Sequence, residues 1–395
     1  MNHRNCSLSL LLLTTLALSA CRTDDDPDAD TGGETSGETG GDEIGGEPCA
    51  PASDPVDEAS CMALDTDYRP NDSDADMYPA CISDGGEYAL VADPPGSIAR
   101  IGAYDEIAEL LWRNGAPTAE DFTTARTTYE LEEGLGSRVD RREDLHYPEI
   151  PMDEWDPGLD PDKQCSNATN ATNHPERCVG PSQLRPLINQ AFIDGMSGTG
   201  DPNVHAARIK AALIWFSYVS VYKEAYTCTS KGKDCDSSWA YYTGGAQVDG
   251  DLLGFAELVN QYSPAAHERI FAGILAVRCF RDLYPNADYP TYADLPAEGQ
   301  ALFDTAWEQL DDALARGFAI ALRQHLLAHD DEQCIPANQA NWEFVTIVGQ
   351  ALDREIRERD AGAADELLDI YALDTPMTAD IERAVELIDQ AIPCP

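Results

Sequence analysis

Apolar residues recur at helical spacing through most of the chain after residue 97. Ile101, Ile107 and Leu111, for example, share one face of a helix that Ser97 can cap. Strand-like alternation is nearly absent, so we predict an all-α fold, an irregular multi-helix bundle over residues 97–395. Besides the first helix, 98–112, the predicted helices are 118–131, 182–195, 204–226, 237–242, 251–261, 263–283, 297–329, 337–359, 361–373 and 378–392.

The segment 204–226 is apolar on nearly all sides, which predicts a helix buried at the centre of the bundle. Its Lys210, Lys223 and Glu224 argue against a membrane span. Residues 49–96 differ, because they are rich in Asp, Pro and Ala and have no sustained period. We expect an irregular segment there, held by disulfides.

Residues 1–20 have the features of a secretory signal peptide. Arg4 gives a positive start, and the apolar stretch 7–18 is too short to cross a bilayer. The following Leu-Ser-Ala-Cys at 18–21 resembles the lipobox of bacterial lipoproteins. This resemblance implies export, lipidation of Cys21 and a lipid bilayer as partner. Arg22 stands where Asp would retain the chain at the inner membrane, which favours the outer membrane of a Gram-negative bacterium, on either its periplasmic or its cell-surface face.

Charge and composition narrow the choice of partners. Residues 21–48 are Gly, Asp, Glu, Ser and Thr with almost nothing apolar, so we predict an acidic, disordered tether. The whole chain has 72 acidic and 26 basic residues and a net charge of −46. This excess excludes nucleic acid as a partner, because phosphate binding needs Lys and Arg. Cations or basic proteins remain compatible with it.

Ten cysteines remain after the signal peptide and the lipidated Cys21, and in an oxidising compartment an even set predicts disulfides. Closeness in sequence favours two pairs, the first joining Cys165 to Cys178 and the second joining Cys228 to Cys235. We expect Cys49, Cys61 and Cys81 to hold the irregular segment together. The remaining pairing cannot be derived from the sequence. Zinc is disfavoured, because no Cys-x-x-Cys occurs.

Features between residues 207 and 283 resemble a known family. A long helix ends in Val-Tyr-Lys-Glu-Ala at 221–225, a cysteine-bounded loop follows, and Ser-Trp-Ala-Tyr-Tyr-Thr-Gly at 238–244 precedes another helix. This order is similar to that of the low-iron-inducible, high-CO2-inducible periplasmic proteins of green algae and their bacterial relatives. The resemblance implies an extracytoplasmic helical protein that assists iron acquisition, and it brings no catalytic residues.

Two pairs of side chains could bind a metal such as iron. Residues 354–358, Arg-Glu-Ile-Arg-Glu, resemble the Arg-Glu-x-x-Glu element of ferric permeases, and i, i+3 spacing places Glu355 and Glu358 on one helix face. The alternative is a solvated face with local Arg–Glu pairs. His325 and His329 lie one helical turn apart, although His is also favoured at a helix C-terminus.

Three further sets of residues are candidates. Glu332, which follows the His pair, could add a carboxylate ligand. Glu224, at the end of the buried helix, needs a partner such as Arg, Tyr or a metal. The aromatic residues Trp239, Tyr241 and Tyr242 could form a ligand-binding box or simply pack in the core.

No enzyme motif is complete in this chain. Residues 195–199 fail the nucleophile elbow at its last position, and His267-Glu268 lacks the second His of a zincin. The sequence therefore favours a binding lipoprotein that assists the acquisition of iron or another metal. Two alternatives stay open, a structural or protein-interaction lipoprotein without a small ligand and a hydrolase whose site is assembled in space.

Overall fold

The computed structural model describes residues 63–72, 74–131, 134–139, 184–329 and 335–393. In these ranges the chain is helical and contains no β-strand, which confirms the all-α prediction. No helix in them is both long enough and apolar enough to cross a membrane. The helices are α1 Ser97–Ala108, α2 Ala119–Glu130, α3 Gly136–Val139, α4 Leu184–Ser197, α5 Pro202–Thr227, α6 Lys233–Thr243, α7 Gly254–Tyr262, α8 Pro264–Leu283, α9 Ala297–Leu327, α10 Ile335–Ala351, α11 Asp353–Arg359, α12 Ala361–Tyr371 and α13 Thr378–Ala391.

Helix α5 is the centre of the bundle, as its all-round apolar pattern predicts. Asp201 caps it by accepting a hydrogen bond from the Asn203 N–H at 2.8 Å, and Pro202 begins its first turn. From Ala211 to Tyr222 every side chain is buried. Helices α4, α6 and α10 pack around it. A helix surrounded on all sides needs no polar face, which explains its lack of amphipathic periodicity.

Helices α8 and α9 pack closely along each other beside α5. The close approach depends on Gly273, because a Cβ atom there would lie 2.8 Å from the Cα of Leu310. Any larger residue would push the two helices apart.

Two predicted helices are interrupted in the structure. The first helix ends at Ala108 and continues as a π-helical turn, Glu109–Arg113. Its Arg113 bonds both Asp105 and Glu257 at 2.5 Å, and so links the turn to α7. The predicted helix 337–359 breaks at Leu352 into α10 and α11.

The irregular N-terminal segment is attached to α8 by a disulfide between Cys81 and Cys279. A disulfide thus holds this segment, as predicted, and the partner of Cys81 is on a helix 198 residues further along the chain. Cys228 is bonded to Cys235, which confirms the second predicted pair. Cys49, Cys61, Cys165 and Cys178 lie outside the described residues, as does the predicted lipidation site Cys21.

Buried polar contacts hold the same segment against the helices. Asp236 at the start of α6 accepts hydrogen bonds from the Tyr88 hydroxyl at 2.9 Å and from the backbone N–H groups of Val91 and Ala92. The Tyr88 ring stacks on Trp239, with 4.7 Å between the ring centroids. The described part of this segment, residues 63–72 and 74–96, is thus an ordered layer of the structure although it contains no helix.

Candidate functional site

A cavity of about 440 Å³ lies where several helix ends meet. It is bounded by the N-terminus of α5, the end of α9, the first turns of α10 and the loop between α12 and α13. This volume falls in the range of small-molecule sites. Its lining combines aromatic, apolar and polar side chains: Val204, His329, Asn338, Gln339, Trp342, Glu343, Asp374, Thr375 and Pro376.

Two contacts of α10 position the cavity wall. The Trp342 indole N–H donates to the carbonyl oxygen of Leu373 at 2.8 Å, which fixes the ring against the loop after α12. The carboxylate of Glu343 accepts two hydrogen bonds from Arg208 of α5, at 3.0 and 2.7 Å. This bidentate pair compensates the charge of Glu343. Asp374, in contrast, is exposed and forms no ion pair with the described residues.

The two predicted histidines pack on different aromatic residues of α10. His329 lines the cavity, and its ring centroid lies 5.7 Å from that of Trp342. The His325 ring stacks on Phe344 at 3.9 Å instead and hydrogen-bonds through Nδ1 to the Asn341 side chain at 2.6 Å. Glu332 lies outside the described residues. In the described ranges no group of three or more His, Cys, Asp or Glu side chains is placed to hold a metal, and a metal at this His pair stays a prediction.

The two predicted glutamates of α11 lie in different environments. Glu355 is 3% exposed and accepts a hydrogen bond from Arg359 at 2.9 Å. Glu358 is exposed and accepts one from Arg354 at 3.0 Å. Each carboxylate thus has its own arginine four residues away, the arrangement weighed as the alternative to a metal site. Joint metal binding by this pair also stays a prediction.

The structure places a different carboxylate near Glu355, namely Asp311 of α9. Burial raises the pKa of Asp311 well above its usual range, and the negative charge of Glu355 raises it further. Its Oδ1 atom is shielded from solvent and has no hydrogen-bond partner among the described residues. The sequence analysis missed this cluster, because Asp311 and Glu355 are far apart in the sequence and no spacing pattern connects them.

Protonation of Asp311 predicts a pH dependence of stability. The folded chain keeps a proton that the unfolded chain releases, so this group makes the free energy of unfolding fall as the pH rises above about 4. The Asp311→Asn variant has no carboxyl group to titrate at this position. Its free energy of unfolding should therefore increase relative to that of the unmodified protein as the pH rises. Urea unfolding at a series of pH values measures this. Asp312→Asn, at the neighbouring residue that bonds Arg359, is the control; equal and pH-independent effects of the two variants would contradict the prediction.

Glu224 and the aromatic residues of α6 have protein partners. The Glu224 carboxylate lies 3.5 Å from the Lys223 ammonium. Trp239, Tyr241 and Tyr242 are buried. The Trp239 indole N–H donates to the Ala246 carbonyl, at 2.9 Å. These contacts are those of core side chains.

Tyr242 belongs to a short hydrogen-bonded chain. Its hydroxyl lies 3.0 Å from His267 Nδ1, and His267 Nε2 lies 3.0 Å from the Val248 carbonyl oxygen. Because Nε2 must donate to that carbonyl, Nδ1 accepts from the tyrosine. Burial lowers the pKa of His267, so the ring stays neutral. Both ring nitrogens are thereby satisfied within the protein.

The cavity residues Trp342, Asp374 and Asn338 were not singled out from the sequence. They lie on a helix face and in a loop that come together only through the packing of α12 against α10 and α13. Comparison with other proteins adds no guide to their role: no protein-family model matches this chain, and no curated protein or solved structure matches it significantly.

Proposed function

We propose that this chain is an exported, lipid-anchored binding protein whose ligand is a small cation held in the cavity beside Trp342. The observation that carries the proposal is the lining. It offers an indole ring, an imidazole and two carboxylates, and no Lys or Arg of the described residues belongs to it. The strongly acidic chain adds a negative field that concentrates cations near the protein.

Two kinds of cation fit these groups. A metal ion such as iron would use the His329 imidazole and the Asp374 carboxylate, which are ordinary nitrogen and oxygen ligands for such ions. An organic ammonium ion would lie on the Trp342 ring and pair with Asp374. Iron is the choice that the resemblance to the algal family supports. The predicted signal peptide, lipidation of Cys21 and acidic tether would hold the cavity outside the cytoplasm, next to a membrane.

Calorimetric titration of the lipidated chain in detergent micelles tests this proposal. The ligands are iron, zinc, manganese and calcium ions on one side and tetramethylammonium on the other. We expect one ligand to saturate near one equivalent. Asp374→Asn should weaken its binding about tenfold, which corresponds to about 1.4 kcal/mol, because the uncompensated carboxylate is lost.

Three variants separate the possibilities. His329→Ala should weaken the binding of a metal ion but not that of tetramethylammonium. Trp342→Leu should have the opposite selectivity and weaken the binding of tetramethylammonium. Asp251→Asn changes the net charge equally at an exposed residue outside the cavity lining, and it should leave affinity within about twofold. If no cation saturates, or if Asp251→Asn weakens binding as much as Asp374→Asn does, the cavity is not a cation site. A protein-interaction lipoprotein would then be the better account.

A further inference from the structure

Two rings meet at an angle in the wall of the cavity beside Trp342. The ring centroids of Trp342 and His329 lie 5.7 Å apart, and the ring planes are inclined by 56°. The Trp342 indole N–H already donates to the Leu373 carbonyl oxygen at 2.8 Å, so the ring is held in place and offers a ligand its face. The face of an indole carries partial negative charge and attracts cations more strongly than the face of a phenyl or phenol ring.

The charges in the lining balance a single positive charge. The Glu343 carboxylate is compensated by Arg208, through hydrogen bonds of 3.0 and 2.7 Å. Asp374 is the other carboxylate of the lining and is exposed, and no Lys or Arg of the described residues belongs to the lining. One uncompensated negative charge therefore remains among these residues. A monovalent cation neutralises it, whereas a divalent or trivalent metal ion would leave an excess of positive charge.

The rest of the lining suits a ligand larger than a bare ion. The volume of about 440 Å³ is many times the ~30 Å³ that one water molecule occupies in the liquid. Val204 and Pro376 offer apolar contacts for methyl groups. Gln339 and Thr375 offer an amide and a hydroxyl, which can form hydrogen bonds to a neutral polar group.

We propose that the cavity selects a singly charged, methylated ammonium ion that also bears a neutral polar group, the chemistry of choline. This inference rests on the proposed cation site and names the class of its ligand. The methylated nitrogen lies on the face of Trp342, between that ring and His329, and Asp374 supplies the opposite charge. Methyl groups spread the positive charge and lower the cost of removing the ion from water, which favours contact with an aromatic face.

The same lining discriminates against ligands that add an anionic group to the ammonium ion. A carboxylate or phosphate on the ligand would meet Asp374 and Glu343, and no Lys or Arg of the described lining would compensate it. We therefore expect the free hydroxylated ion to bind, and its phosphate ester and the corresponding carboxylate to be rejected. A phosphocholine lipid headgroup is excluded for the same reason.

Calorimetric titration of the lipidated chain tests this selectivity. The protein is held in micelles of a maltoside detergent, which has no ammonium group, at about pH 8, where a histidine side chain is ordinarily neutral. The probes are choline, its unmethylated counterpart ethanolamine, glycine betaine and phosphocholine. We expect choline to saturate near one equivalent and the other three to bind at least about tenfold more weakly, which corresponds to about 1.4 kcal/mol. Equal binding of ethanolamine, glycine betaine or phosphocholine would overturn the proposal.

A pair of substitutions tests the aromatic face itself. Trp342→Leu should weaken choline binding at least about tenfold, and Trp342→Phe, which restores an aromatic face, should recover most of that loss. Trp307→Leu replaces a half-buried tryptophan outside the lining and should leave the affinity within about twofold. Helical circular dichroism checks that each variant is folded. A folded Trp342→Phe variant that binds choline as weakly as Trp342→Leu would contradict the role of the ring face.

The titrations also distinguish failure of this inference from failure of the cation site. If iron or another metal ion saturates the cavity and choline does not, the cation site stands and the methylated ammonium ligand is wrong. If neither choline nor any metal ion saturates it, both proposals fail together. Saturation by choline that Asp374→Asn weakens about tenfold supports both.

Discussion

Replacing Cys81 and Cys279 together by serine is expected to lower the free energy of unfolding by about 5 kcal/mol. The two cysteines are 198 residues apart, and their Cα atoms are 5.5 Å apart in the folded chain. A crosslink between such distant residues removes much of the conformational entropy of the unfolded chain, and this contribution grows with the logarithm of the loop length. Urea unfolding followed by helical circular dichroism measures the loss.

The second disulfide of the described residues gives the matched control. Cys228 and Cys235 are only 7 residues apart, so their bond closes a short loop. The same double serine replacement there should lower the free energy of unfolding by about 2.5 kcal/mol. If the two double variants lose equal stability, loop entropy does not explain the Cys81–Cys279 bond, and local packing around it would have to be the cause.

Arg269→Met is expected to lower the free energy of unfolding by about 3–5 kcal/mol, because it leaves the buried Asp67 carboxylate without its counter-ion. Arg269 of α8 donates to Asp67 of the N-terminal segment at 3.0 Å, and the two side chains are only 7% and 4% exposed. Without the guanidinium, the Asp67 carboxylate keeps its hydrogen bond from the Leu64 N–H but loses its opposite charge. The measurement is again urea unfolding.

An exposed ion pair provides the control for this substitution. Arg126 pairs with Glu130 at 2.8 Å on the surface of α2, where the side chains are 29% and 56% exposed. Arg126→Met should lower the free energy of unfolding by less than about 1 kcal/mol. Adding Asp67→Asn to Arg269→Met should recover part of the loss, since it removes the stranded charge. An Arg269→Met variant as stable as Arg126→Met would disprove the buried-charge argument.

Both predictions concern the attachment of one segment to α8. Residues 63–96 have no helical period and could not hold their own shape. The disulfide, the Asp67–Arg269 pair and the hydrogen bonds to Asp236 replace the missing apolar face. Loss of the Cys81–Cys279 disulfide or of the Asp67–Arg269 ion pair should therefore unfold this segment before the helices. Limited proteolysis would detect this local unfolding as earlier cleavage near Cys81.

Local patterns were a good guide to the helices and a poor guide to the candidate site. The helix that contains Lys210 could be predicted because its apolar residues are continuous and Asp201-Pro202 marks its start. The i, i+3 spacing places Glu355 and Glu358 on one short helix, where Glu355 is buried and Glu358 is exposed and bonded to Arg354. His325 and His329 were recognised as candidates from their spacing, yet their rings pack on different aromatic residues of α10, Phe344 and Trp342.

The amino-acid pattern alone is enough to establish the all-α class, the buried central helix and the Cys228–Cys235 bond, and it predicts export and lipidation at Cys21. These features depend on residues that are close in sequence, so spacing carries the information. The Cys81–Cys279 bond, the Asp311–Glu355 proximity and the cavity beside Trp342 were set by packing between elements that are distant in the sequence. Such contacts depend on how the side chains of one helix pack between those of another, because this packing sets the orientation of whole helices. The spacing of residues within one helix does not specify that orientation.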